Sequence, residues 1–176
     1  MACLLTTGRN EPCLDAIGGL KAVYFFDRLT DPFTVSAGEA TAMNASLTDA
    51  FEYDLISDNS NLTENIVSDQ NTGTTTNTQT LVLSLKKQDK DTAAQIALLA
   101  KAAPQAVIKD RAGNYRAVGI SDGLTLNGNI ESGGAKADFN GYNLTFTAIE
   151  INPAPFLDSS TVTAFEAVIS ATKITP

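Results

Sequence analysis

Residues 74–85 read Thr-Thr-Thr-Asn-Thr-Gln-Thr-Leu-Val-Leu-Ser-Leu, and this stretch decides the fold class of the chain. Its first half is uncharged and polar, whereas Leu81, Leu83 and Leu85 occupy every second position of its second half. Successive side chains of a β-strand point to opposite faces, so this alternation predicts a strand with one apolar face. Because the polar half comes first, we expect the strand to start beyond the core and to run into it.

The segment before this strand predicts its hairpin partner. Residues 62–69 can form the first arm, and Asn71-Thr72-Gly73 can form the turn. A two-stranded ribbon with polar faces buries little and is marginally stable alone, so an extended ribbon indicates a docking arm. A mobile loop over residues 57–79 is the alternative interpretation. The docking arm is assigned to seven polar or turn residues, namely Asn61, Thr63, Asn65, Asn71, Gly73, Thr75 and Asn77.

The rest of the chain predicts a mainly β domain with one helix. The helix is expected over residues 91–103, with Asp89 or Asp91 as its N-cap and Pro104 at its end. Residues 29–48 are rich in turn-forming and small residues, and the apolar stretch 162–169 is compatible with either a strand or a helix. We expect a single β domain over residues 1–155 and a tail over residues 156–176 that packs on the domain or on a neighbouring subunit. Further strands are predicted over residues 20–26, 50–56, 105–109, 115–120, 124–130 and 142–151.

Several function classes are excluded by residues that the chain lacks. It contains no histidine, which rules out a histidine base and the usual imidazole metal ligand. Its glycine pairs do not form a nucleotide-binding motif. We therefore predict no enzymatic activity, no cofactor and no metal. Cys3 and Cys13 are either a small disulfide loop or two reduced thiols, and the spacing does not decide between them. The sequence predicts no membrane anchor.

The negative charge is concentrated in one part of the chain. The formal net charge is −8, which argues against a protein that grips nucleic-acid phosphates. Residues 29–85 contain eight acidic residues and no lysine or arginine, whereas residues 86–116 contain seven basic and three acidic residues. The acidic and basic regions are candidate docking surfaces of opposite charge.

Four segments together resemble tail tube or ring-type structural proteins of tailed bacteriophages. The resemblance covers residues 1–155, and it rests on the order of the segments rather than on any one of them. The segments are Cys3-x5-Arg9-x3-Cys13-x4-Gly18-Gly19-Leu20, Thr80-Leu81-Val82-Leu83 followed by Gln88-Asp89, Val107-Ile108-Lys109-Asp110-x2-Gly113-Asn114-Tyr115, and Asn140-Gly141-Tyr142-x-Leu144-Thr145-Phe146-x3-Glu150.

The resemblance implies a β-sandwich or barrel with one flanking helix. It also implies self-assembly into a ring, as a homohexamer, with rings stacking into a virion tail tube that conducts DNA without binding it specifically. Assembly in the cytoplasm of a host bacterium and contacts with other phage tail proteins follow from the same resemblance. The extended hairpin would contact neighbouring subunits or the next ring.

The ring interpretation gives the two charged regions possible roles. Ring contacts join different patches of neighbouring subunits, so opposite charges would orient docking. Lys86, Lys87, Lys90 and Lys101 are the candidate basic docking face. Glu52, Asp54 and Asp58 are the candidate acidic face lining or approaching the lumen, where they would repel DNA phosphates. Ordinary outer-surface acidity is the alternative for these three residues.

Two other functions are compatible with the sequence. A connector or baseplate ring of the phage tail would use a related fold in fewer copies. An adhesin-like or carbohydrate-binding β-sandwich would need an aromatic platform, but aromatic residues make up only 7% of the chain.

Overall fold

A computed structural model describes residues 7–10, 17–56, 59–171 and 173–174. The described residues are mainly β and form two sheets and two helices. The elements in chain order are β1 (Leu20–Phe26), β2 (Phe33–Ser36), β3 (Glu39–Met43), β4 (Phe51–Asp54), β5 (Asn61–Asp69), β6 (Thr74–Lys86), α1 (Lys90–Ala102), β7 (Gln105–Asp110), β8 (Tyr115–Val118), β9 (Thr125–Glu131), β10 (Gly141–Glu150), β11 (Phe156–Leu157) and α2 (Ser159–Glu166).

The two sheets face each other across an apolar core, as in a β-sandwich. The four-stranded sheet has the order β5-β6-β10-β9, and the seven-stranded sheet has the order β2-β3-β11-β8-β7-β1-β4. Phe25 of β1 and Phe146 of β10 meet between them, with ring centroids 4.7 Å apart. Leu81 and Leu83 of β6 are fully buried in this core, which confirms the face predicted by their alternation.

The seven-stranded sheet also buries its other face, beneath α2. Phe165 of α2 is fully buried, and its ring lies 5.5 Å from the ring of Tyr24. β11 lies between β3 and β8, and Ile169 pairs with Ala50 beside β4. The described residues of the predicted tail therefore pack on the domain itself, where they complete one sheet and cover its second apolar face.

Two details of the predicted fold need correction. The chain has a second helix, α2, in addition to the one that the sequence predicts. It begins just before the apolar stretch 162–169, which the sequence left open between strand and helix, and ends within that stretch. The turn-rich stretch 29–48 contains β2 and β3, which pair with each other through a turn at Ala37 and Gly38. These strands are four and five residues long, too short to show a clear period.

Helix α1 begins and ends close to the predicted bounds. The carboxylate of Asp89 accepts hydrogen bonds from the backbone N–H groups of Asp91 and Thr92, which makes Asp89 the N-cap. A hydrogen bond from the Thr92 side chain, together with these backbone bonds, lowers the pKa of Asp89. Ile96 is buried on the core side, and the backbone turns left-handed at Ala103, before Pro104.

Candidate assembly surfaces

Residues 61–86 form the predicted hairpin, so the loop alternative for this segment is wrong. β5 and β6 pair from Asn61 with Val82 to Asp69 with Thr74. β10 accompanies β6 only as far as Asn77, so residues 67–69 and 74–76 project as a two-stranded end. We call residues 66–76 the hairpin end.

The turn of the hairpin end is held locally. The Asp69 carboxylate accepts a hydrogen bond from the backbone N–H of Asn71 at 2.8 Å, which lowers the pKa of Asp69. Gly73 has a φ of +67°, a conformation that L-residues adopt rarely. Ile66 and Val67 are 62% and 51% exposed, although both are aliphatic.

The seven predicted arm residues do not share one environment. Asn71, Gly73 and Thr75 belong to the hairpin end, whereas Asn61, Thr63 and Asn65 lie further along β5. Asn77 is only 2% exposed, and its side-chain N–H donates to the carbonyl of Ile151 at 2.6 Å. Asn77 is therefore an internal residue and is not available for docking.

The outward face of the four-stranded sheet consists almost entirely of small uncharged polar side chains. Leu81 and Phe146 face the core, so residues of the opposite parity on the paired strands face outward. The charged residues of this outward face, among the described strands, lie at its two ends. Asp69 lies at one end, and Lys86 and Glu131 lie at the other. We call the surface between them the Thr/Asn face. It comprises Asn61, Thr63, Asn65, Thr76, Thr78, Thr80, Thr125, Asn127, Asn129, Asn143, Thr145 and Thr147, with Val67, Val82 and Ile149 among them.

Both edges of this sheet are open within the described part of the chain. β5 pairs there only with β6, and β9 pairs only with β10. An edge strand presents unpaired backbone N–H and C=O groups, which can pair with a strand of another chain.

The predicted acidic face lies on the other sheet and is paired with a lysine. The Lys173 ammonium is 2.7 Å from a Glu52 carboxylate oxygen and 2.9 Å from one of Asp54. These hydrogen bonds to the two carboxylates raise the pKa of Lys173. The Tyr24 hydroxyl also donates to Glu52 at 3.3 Å, on the α2 side of the seven-stranded sheet. Asp58 lies outside the described residues.

The predicted basic face is divided. Lys86 and Lys87 line a cavity of about 440 Å³ that Glu52 and Asp54 also line, so oppositely charged residues are neighbours within one subunit. Lys101 lies at the far end of α1, about 16 Å along the helix axis from Lys90. The other lining residues are mostly apolar or neutral, and they include Phe51, Tyr53, Ile56, Ser84, Leu85, Thr92, Gln95 and Ile174, together with Lys173.

A tyrosine and two charged residues fasten α2 to the sheet. The Tyr115 hydroxyl donates to Glu166 of α2 and accepts from the Lys109 ammonium, both at 2.5 Å. Burial and the hydrogen bond to Glu166 raise the pKa of Tyr115 to about 12. Tyr115 therefore stays protonated near neutral pH and acts as a fixed donor.

The described residues contain no helix long and apolar enough to cross a membrane. Within the same ranges, no group of three or more acidic, cysteine or histidine side chains could hold a metal ion. Cys3 and Cys13 lie outside them. No family model, curated protein or solved structure matches the chain.

Sequence analysis missed the Thr/Asn face and the role of Lys173. A signal for the first was present, because Thr76, Thr78 and Thr80 alternate with residues of the core face. Assembling the face also required the pairing of β10 with both β6 and β9. Lys173 is 119 residues from Asp54 in the chain, and no local pattern joins them.

Proposed function

We propose that this chain is a virion structural protein whose copies join into a ring, and that the rings stack into a phage tail tube conducting DNA. The observation that carries the proposal is the Thr/Asn face, an uncharged strip bounded by two open sheet edges. The resemblance of residues 1–155 to phage tail proteins supports the same assignment. Other tail proteins would meet the two ends of the tube.

The open edges supply a lateral contact between subunits. Pairing β5 of one copy with β9 of the next satisfies backbone groups on both strands and continues the sheet. The contact joins two different patches, so it generates a ring where the rotation closes. Six copies, the number implied by the resemblance, would make a continuous β wall.

The Thr/Asn face suits the inner side of that wall. Lysines or arginines there would bind DNA phosphates and release counterions, which would slow the passage of DNA. Asn and Thr side chains offer no such charge. Glu52 and Asp54 lie on the opposite sheet and pair with Lys173, so the channel lining is assigned here to the Thr/Asn face instead of the acidic residues.

The aromatic side chains do not favour a carbohydrate-binding module. Among the described residues, Phe51 and Phe156 are the aromatic side chains with large exposure. They belong to β4 and β11, which are four strands apart in the seven-stranded sheet, about 19 Å. Arg116 also covers the Phe156 ring at 5.0 Å. Two separated rings do not make a platform.

Electron microscopy and light scattering of the purified protein test the assignment. We expect rings with a central channel, and stacks of rings at high concentration. A protein that remains monomeric at high concentration would contradict the proposal.

Adding positive charge to the Thr/Asn face tests whether that face lines the channel. Asn65→Lys with Asn127→Lys should make assembled rings retain DNA, with retention falling as salt is added. Asn71→Lys with Thr72→Lys adds the same charge at the hairpin turn and is the matched control. Equal retention by both variants would place the Thr/Asn face elsewhere.

A further inference from the structure

The cavity of about 440 Å³ lies beside β4, at one edge of the seven-stranded sheet. Within the described part of the chain, β4 pairs as a strand only with β1. All four residues of β4, from Phe51 to Asp54, line the cavity. Successive side chains of a strand point to opposite faces, so a cavity that borders all four lies at the edge of the strand and not on one of its faces. It occupies the place of a neighbouring strand.

The backbone of β4 points hydrogen-bonding groups into this space. Leu55, just after β4, donates its backbone N–H to the carbonyl of Lys21 in β1, at 2.9 Å. Backbone groups alternate in direction along a strand, so those of Glu52 and Asp54 point away from β1, toward the cavity. An edge of this kind can pair with an extended segment of another chain.

The C-terminal part of the chain begins such a pairing at one residue. We call residues 168–171 and 173–174 the strap. Ala50, just before β4, donates its N–H to the carbonyl of Val168 at 3.0 Å and accepts from the N–H of Ser170 at 2.8 Å. This parallel bridge is isolated among the residues that the structure describes. The strap therefore follows β4 for one bridge, before the cavity begins.

The end of the strap is held by partly exposed ion pairs. The Lys173 ammonium lies 2.7 Å from a Glu52 carboxylate oxygen and 2.9 Å from one of Asp54. The side chains of Lys173 and Asp54 are 41% and 58% exposed, and ion pairs in contact with water contribute little to stability. Ile174, the next residue, is 40% exposed and lines the cavity. This end of the strap can therefore be displaced at little cost.

The two sides of β4 offer different chemistry to an added strand. Glu52 and Asp54 hold an ammonium on one side, whereas Phe51 and Tyr53 present aromatic rings on the other. Two more lysines line the cavity, at the end of β6 and just after it, so the net charge of the cavity selects no occupant. The ammonium held between two carboxylates does select one, because it shows that this position accepts a cation.

We infer that the cavity beside β4 is a docking site for an extended segment of a partner protein, in which a lysine or arginine is followed by an aliphatic residue. The segment adds to the edge of β4, places its cation between Glu52 and Asp54, and lays its aliphatic side chain against Phe51. Lys173 and Ile174 carry the same chemistry in the same order, so the strap is an internal competitor. The site uses neither edge of the four-stranded sheet and does not depend on ring formation.

Peptide binding tests the site. The probe is a fluorescently labelled peptide with the sequence of residues 170–176, and the full chain with Lys173→Glu removes the cation of the competitor. Fluorescence anisotropy should show binding roughly 1.5- to 5-fold tighter than to the wild-type chain, the factor that an exposed ion pair supplies. Lys101→Glu makes the same charge change outside the cavity lining and should bind like the wild type. No binding to any of the three chains, or equal binding to the two variants, would overturn the inference.

A second peptide and amide hydrogen exchange test how the segment binds. The same peptide with glutamate in place of its lysine should bind more weakly, and equal binding would overturn the role of Glu52 and Asp54. At saturation the backbone N–H groups of these two residues should exchange more slowly, whereas those of β2, at the opposite edge of the sheet, should be unchanged. Binding without this protection would overturn strand addition.

Comparing free subunits with assembled rings separates the possible occupants. We expect both to bind the peptide. Binding that is lost on assembly would assign the cavity to a second copy of this chain and overturn the partner assignment. Rings that form normally while no variant binds the peptide would overturn this inference and leave the proposed function intact. A monomeric protein that binds the peptide as described would support the site and refute the ring.

Discussion

Replacing Phe165 with alanine would remove the side chain that fastens α2 to the seven-stranded sheet. The Phe165 ring is fully buried, with its centroid 5.5 Å from that of Tyr24, 6.5 Å from Phe26 and 6.4 Å from Phe33. Truncating a buried phenylalanine removes its transfer free energy and leaves a cavity, and together these cost about 3–5 kcal/mol. A domain of this size is stabilised by about 5–15 kcal/mol in total, so the variant should lose a large share of its stability.

Urea and thermal unfolding measure this loss. For a domain of 150–250 residues, 3–5 kcal/mol corresponds to a fall in Tm of about 6–20 °C. Thr163→Ala, on the exposed side of α2, is the control and should change the free energy of unfolding by about 0.5 kcal/mol or less. A loss below about 1 kcal/mol for Phe165→Ala would refute the reasoning, because it would mean that α2 does not stabilise the domain to which it belongs.

Three further substitutions test other parts of the fold. Arg116→Met breaks the largely buried ion pair with Glu64 and should lower the free energy of unfolding in urea by about 3 kcal/mol. Adding Glu64→Leu removes the unpaired charge and should restore part of that stability; no recovery would contradict the paired arrangement. A backbone hydrogen bond from Thr161, in the first turn of α2, holds the pKa of Asp158 below its ordinary value. The contribution of Asp158 to stability is therefore present above the pKa of the unfolded chain and disappears as the pH falls through the lower folded value. Asp158→Asn should therefore lower the urea midpoint near neutral pH and flatten its decline below about pH 4, and an unchanged acid profile would exclude this cap as a source of the pH dependence. Gly141→Ala would place a Cβ against the backbone carbonyl of Leu85 on the neighbouring strand, so it should cost about 1–3 kcal/mol, and an unchanged Tm would show that β6 and β10 are less closely paired.

The elements that the sequence predicted well have strong local signals. Leu20–Phe26 is a run of apolar and aromatic residues bounded by glycines and charges, and it became a strand buried on both faces. The alternation at Leu81, Leu83 and Leu85 correctly predicted the core face of β6. Asp89 caps the N-terminus of α1, and Pro104 follows its C-terminal end, where a helix cannot continue. In each case a handful of neighbouring residues carries the information.

The parts that sequence analysis missed depend on contacts between distant segments. β11 has two residues and becomes a strand only because β3 and β8 lie on either side of it. The sequence showed Glu52 and Asp54 as acidic residues, but no local pattern predicted that Lys173 would form ion pairs with them. Asn77 belongs to a polar run that predicts exposure, yet its pairing with Glu150 of β10 buries it. Strand register decided the burial of Asn77, and contacts between segments far apart in the chain decided the other two outcomes; local sequence pattern supplies neither.

The two proposed contacts act in perpendicular directions because they use different parts of one sheet. Pairing β5 with β9 extends the sheet across its strands, a direction in which right-handed twist and curvature allow closure. Stacking of the proposed rings extends the assembly along the strands, the direction in which the hairpin end projects, and nothing there limits the number of copies. A substitution at Ile66 therefore perturbs the axial contact without changing the backbone groups of the lateral one. This separation allows the number of subunits in a ring and the number of rings in a stack to vary independently, as a tube of fixed width and variable length requires.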